Sequence, residues 1–129
     1  MKINITAGDC LNKILIAKYP NETFIPFKEA MIEGKYTSEA FSEDFFVERA
    51  IFHNTTVKEY KKHMGTFLEL LAHLNDYNEI ILWFGNEPFC LANIKVIIET
   101  LKNRKYTKKI VINFVIEETG EIINSQTIQ

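Results

Sequence analysis

The chain has 129 residues, 47% of them apolar and 25% charged, with a net charge of −2 at neutral pH. A chain of that size and mixture makes one globular domain that can bury a core without disulfides or metals. Interspersed lysines and acids exclude the electrostatic footprint of a nucleic-acid binder and a polybasic membrane anchor, and no apolar run approaches the length of a bilayer span.

Met1-Lys2-Ile3-Asn4 enters a strand-like alternation at once, with Ile3 and Ile5 on one face, so no signal peptide is expected. With only two cysteines, this points to the reducing cytoplasm. Ala7-Gly8-Asp9 breaks the strand, and Leu11, Ile14, Leu15 and Lys18 follow at helical spacing until Tyr19-Pro20-Asn21. Thr23-Phe24-Ile25 predicts a short second strand, closed by Pro26. The segment Phe27–Gly34 then reads as a loop or single turn carrying Glu29 and Glu33.

From Ser38 to His53 the pattern is helical and crowded with phenylalanines, more apolar surface than one stripe requires. Thr56-Val57-Lys58-Glu59 has the form of a capping box, in which hydroxyl and carboxylate each satisfy a free N–H group. One helix is predicted from there to about Asn75, with Gly65 inside it at a cost of roughly 1 kcal/mol, explicable if another backbone approaches there. Glu79–Phe84 is a strand buried on both faces, and Gly85-Asn86-Glu87-Pro88 turns it into a helix, with Asn86 as the expected N-cap. Lys108–Glu117 is a final strand. Residues 118–129 are polar apart from two isoleucines and read as a short edge strand or a flexible tail beyond a single α/β domain at 1–117.

This order predicts a Rossmann-like or flavodoxin-like fold: about four mostly parallel strands, the first between the second and third, with helices on both faces. Ligands of such sheets bind beyond the strand C-termini, where strand order reverses. The candidate ligand-binding residues are therefore Gly8, Asp9, Lys28, Glu29, Gly85, Asn86 and Glu87. Each has a plain alternative: the glycines as turn residues, Asp9 and Glu87 as complements to helix N-termini, and the loop acids Glu29 and Glu33 as solvated. Neither glycine turn is a dinucleotide fingerprint or a P-loop. Cys10 and Cys90 occupy equivalent first helical turns and read as buried small hydrophobes. His53, His63 and His73 fall ten apart, which puts no two on one helical face within ligand reach. No catalytic triad and no dedicated metal set emerge, and no cofactor is indicated. Trp83 reads as core.

Three blocks carry a family resemblance: Ile5-Thr6-Ala7-Gly8-Asp9-Cys10, Phe27-Lys28-Glu29-Ala30-Met31-Ile32-Glu33-Gly34, and Leu82-Trp83-Phe84-Gly85-Asn86-Glu87-Pro88-Phe89-Cys90-Leu91-Ala92-Asn93. In this order they resemble the domain-of-unknown-function 1835 family, covering most of the chain to about Leu101. Gly8, Asp9, Glu33, Gly34, Trp83 and Phe84 match its pattern. Asn4 and Ala7 stand where the family has His and Asn, Phe27-Lys28-Glu29 where it has Trp-Arg-Asp, and Leu91 where it commonly has Gln. The resemblance implies an N-terminal domain of longer members and supports the site's location, without naming a reaction.

The leading expectation is a cytoplasmic small-ligand-binding or regulatory module, non-catalytic by itself. A small polar ligand, neutral or amine-bearing, suits Asp9 and Glu87 better than a bare phosphate, which their charges would repel. The alternatives are a small enzyme acting on a phosphorylated or nucleotide-like substrate with Mg²⁺ between Asp9 and Glu87, and a protein-interaction module using the Phe-rich helix 38–53. Phe41, Phe45, Phe46, Ile51 and Phe52 on that helix also suggest a homodimer.

Overall fold

In the computed structural model, which describes residues 1–128, four strands run parallel: β1 (Lys2–Thr6), β2 (Phe24–Pro26), β3 (Glu79–Phe84) and β4 (Lys109–Ile116). A fifth, β5 (Glu121–Ile128), pairs antiparallel with β4, and the sheet order is β2-β1-β3-β4-β5. β1 thus lies between β2 and β3, as expected.

β3 shows why a strand can dispense with hydrophobic alternation. Ile80, Leu82 and Phe84 face one core and Ile81 and Trp83 another, because helices cover both faces. The faces are unequal. α1 (Asp9–Lys18) alone covers one, setting Leu11 and Leu15 against Phe24, Ile81, Trp83 and Val115. The Trp83 indole donates to Asn4 Oδ1 at 2.8 Å, so the polar end of this core residue is satisfied inside it.

The opposite face carries α2 (Glu43–Phe52), α3 (Val57–His63), α4 (Gly65–Ala72) and α5 (Pro88–Asn103). α5 buries Cys90, Asn93, Ile94, Ile97 and Leu101, a regular 3-4 stripe. α2 starts at Glu43 rather than Ser38, because the Ser42 side chain caps it by accepting from the Phe45 N–H. The residues before it form a loop held by Glu48, whose carboxylate accepts from the Thr37 and Ser38 N–H groups at 2.8 and 3.0 Å. Phe41, Phe45 and Phe46 are buried within the chain, their rings joined to Phe27, Phe67 and Tyr60. Only Val47, Ile51 and Phe52 remain as exposed large apolar groups on α2. The apolar excess that suggested a contact surface is thus largely spent inside one chain.

Two further expectations are corrected. The single helix from Thr56 to Asn75 is two helices, α3 and α4, separated by Met64 at φ −88°, ψ 7°. Tyr60, Met64, Phe67 and Leu71 keep 3-4 spacing across the break and all are buried, so the sequence pattern carries no trace of it. Nothing lies within 4 Å of a Cβ built on Gly65, so no neighbouring backbone explains this glycine. The sheet also has five strands rather than four, because residues 121–128 of the polar C-terminal stretch pair with β4 (Gln129 lies outside the described residues). Backbone pairing rather than side-chain burial holds β5, so it has no apolar alternation to read. Gly120 makes the turn: its φ is +75°, and a Cβ there would meet Leu15 Cδ2 at 2.8 Å.

Candidate functional site

β1 to β4 end on one edge, and the turns beyond them carry the expected site. Gly8, at φ 129°, is the N-cap of α1, and Asp9 is its exposed first residue. Lys28, just beyond β2, reaches Asp9 at 3.6 Å. Glu87, rather than Asn86, is the N-cap of α5, and its side chain makes no capping hydrogen bond. It turns toward Glu117, which follows β4. A Cβ on Gly85 would meet the Glu87 carboxylate at 2.9 Å and Glu117 at 3.1 Å, so the bare glycine leaves room for both acids. Asp9 is thus paired with Lys28, and Glu87 lies beside Glu117.

Glu87, Cys90 and Glu117 offer one donor atom each, all within 4.8 Å of one another, a set of types that can hold a metal ion. The Cys90 thiol donates to Glu117 at 3.7 Å. Burial, then the Glu117 charge, pushes that thiol up to about 12, and burial with the neighbouring Glu87 charge raises the Glu117 carboxyl. Cys90 is therefore the buried, inert thiol expected of it, whereas Cys10 is exposed, contrary to expectation.

Glu29 departs furthest from its reading as a crevice or solvated loop acid. Its side chain is 0% exposed. Arg49 clamps it from Nε and Nη2, both at 2.8 Å, the Tyr60 hydroxyl donates at 2.7 Å, and the Ala30 N–H at 2.9 Å. His53 Nε2 completes the shell at 2.9 and 3.1 Å. Burial alone would raise this carboxyl, but the donors, Arg49 foremost, outweigh it and hold Glu29 down at about 2. The same contacts raise Arg49 against its own burial. Arg49 spends a further N–H on the Glu33 carbonyl at 2.8 Å, and Asn93 of α5 ties the loop by donating to the Glu29 carbonyl and accepting from the Met31 N–H.

His53 is where this network meets solvent, its side chain 37% exposed. It follows α2, its ring stacked on Tyr60 at 5.8 Å and 18°. Beside it is a cleft of about 320 Å³ lined by His53, Thr55, Glu59, Tyr60 and His63. His63 Nε2 lies 3.1 Å from the Lys28 carbonyl, which ties α3 to the loop after β2. The two histidines share no helix, so their spacing concealed that both face one cleft; His73 bonds its own helix instead. Thr56 accepts from the Glu59 N–H as a cap should, but among the described residues the Glu59 carboxylate gives nothing back to it. Only half of the expected capping box forms.

Arg49, His53, Tyr60 and Asn93 were absent from the sequence-derived site. Arg49 left one trace: it shares the apolar stripe of α2 with Phe45, Phe46 and Ala50, where a charge needs a buried partner. The chain matches no known family model, no curated protein and no solved structure. Among the described residues, no helix is long and apolar enough to cross a membrane.

Proposed function

We propose that this chain is a small-ligand-binding or regulatory module, non-catalytic by itself, whose ligand sits at the C-terminal side of the sheet in the cleft between α2 and α3. One observation carries the reading: a buried, ionised Glu29 held by Arg49 and Tyr60 fixes a half-exposed His53 at the wall of that cleft. Three donors besides His53 would satisfy the carboxylate of a merely structural pair. Here it also sets the tautomer and the plane of a cleft-lining imidazole, which is how a recognition histidine is pre-organised. The cleft adjoins the loop after β2, through His63 and the Lys28 carbonyl, rather than the turns after β1 and β3 where strand order reverses. Lys28 and Glu29, which stand where the domain-of-unknown-function 1835 family has Arg and Asp, help to build it.

A magnesium-dependent enzyme has less support. Lys28 engages Asp9, and the donor set remaining around Glu87 includes a thiol, which magnesium does not favour. A screen of a chemically diverse fragment set, read by the NMR signals of His53 and His63, tests the proposal. Saturable shifts confined to residues of the cleft are expected. Shifts scattered over the surface, or none from any fragment class, would overturn it.

A further inference from the structure

We infer that the ligand of this cleft is an organic cation rich in hydrogen-bond donors, an ammonium or amidinium, which rests on the cleft being the ligand site. The reasoning follows from which polar atoms are already spent. A carboxylate and a carbonyl oxygen can only accept, so His53 must donate its Nε2–H to Glu29, and His63 its Nε2–H to the Lys28 carbonyl. On an imidazole that donates from Nε2, Nδ1 is the remaining polar atom, and in that tautomer it accepts. The Tyr60 hydroxyl, which lines the cleft, is committed to Glu29 at 2.7 Å. Arg49 is fully buried and cancels the Glu29 charge, so it offers a ligand nothing.

What remains on the wall is two imidazole lone pairs, the Thr55 hydroxyl and the exposed Glu59 carboxylate, which the half-formed cap leaves without a protein partner among the described residues. That surface is acceptor-rich and carries the net charge of Glu59. An anionic or acceptor-only ligand would meet lone pairs and a like charge, whereas an ammonium group brings three donors and an amidinium a planar pair. A bare metal ion fits less well: no three of these side chains place donor atoms within 4.8 Å of one another, as Glu87, Cys90 and Glu117 do. The donors must instead be spread along a molecule that fits about 320 Å³.

The experiment titrates the whole chain with putrescine, butanediol and succinate, matched in length and differing in terminal group, and follows His53 and His63 by NMR. Putrescine should shift both histidines saturably and more tightly than either other probe. Glu59→Gln should weaken it about tenfold, the loss of one charge-assisted contact. The Glu59 side chain is exposed and plays no part in the Thr56 cap, so the variant keeps the fold. If succinate or butanediol binds the cleft as tightly, or Glu59→Gln leaves putrescine unchanged, the cationic class is wrong while the ligand-binding reading stands. If none of the three probes, nor any fragment, shifts these histidines, both fall together.

Discussion

Glu29 and Glu117 follow parallel strands on the same edge of the sheet, and their surroundings push them in opposite directions. Glu29 is the more deeply buried, yet it is held at about 2, while the Glu117 carboxyl is raised. Burial opposes ionisation in both. The difference lies in what burial brings alongside: a guanidinium, a phenol and a backbone N–H around Glu29, a second carboxylate and a thiol around Glu117. A buried acid is thus read from its donor count, not from its depth. One end of the sheet edge is locked, and that rigidity is what a pre-organised histidine needs. At the other, burial first and the Glu87 charge second work against the ionised Glu117, with only the Cys90 thiol donating to it.

The largest test breaks the locked end. Arg49→Ala leaves a buried carboxylate without its cation and should cost about 3–5 kcal/mol in urea denaturation. A loss below about 1 kcal/mol, typical of an exposed ion pair, would show that Glu29 can reach water and that the contrast with Glu117 is spurious.

Acid titration comes next. Glu29 is depressed on folding, from an ordinary 4.5 to about 2, so its contribution is complete above 4.5 and is lost as pH falls through the folded value. That contribution is about 3 kcal/mol. Stability measured at successive pH values should fall through this window in the native chain and much less in Glu29→Gln, which starts lower. Equal slopes for the two proteins would place the acid sensitivity elsewhere. Tyr60→Phe sharpens the same point on a smaller scale: removing one donor to a charged group should cost about 2 kcal/mol and move the acid transition to higher pH, because the carboxylate it leaves is easier to protonate. An unmoved transition would mean that the 2.7 Å contact contributes nothing to holding Glu29 ionised.

The order of parallel strands was legible in the sequence because β1 alternates cleanly, β3 and β4 carry dense apolar runs, and each crossover has only one favourable hand. β5 was legible only as one of two readings, edge strand or tail, and it is the edge strand; nearly every one of its side chains is exposed and it is held by backbone pairing with β4, so no apolar pattern chose between them. The break at Met64 was invisible because burial keeps its period across it. Of the candidate site, the glycines and acids beyond β1 and β3 were found from turn chemistry, but turn chemistry says nothing about which charges pair. Asp9 went to Lys28, and Glu87 met Glu117, from a different strand end. Glu29 was legible as a residue and not as a role. Its partners Arg49 and Tyr60 come from α2 and α3 and His53 from the turn between them; the two helices meet through Phe45 and Phe46 packed on Tyr60, and no local spacing encodes that.

The smallest test addresses the repelling end. Glu117 is raised on folding, so its ionised form carries a penalty that is fully present above its folded value and vanishes as pH falls below the ordinary 4.5. Glu117→Gln removes the charge and keeps an oxygen to accept from the Cys90 thiol. It should therefore stabilise the chain at neutral pH by about 0.5 kcal/mol, the scale of a partly exposed charge pair. The gain should shrink to nothing in acid, where the native carboxyl is already neutral. The sign is the decisive part, because removing a carboxylate is expected to hurt at Glu29 and help at Glu117. Differential urea denaturation at neutral and acid pH reads both. A loss of stability on Glu117→Gln at neutral pH would mean that this carboxylate is held by a favourable partner after all, and the two ends of the sheet edge would then be alike.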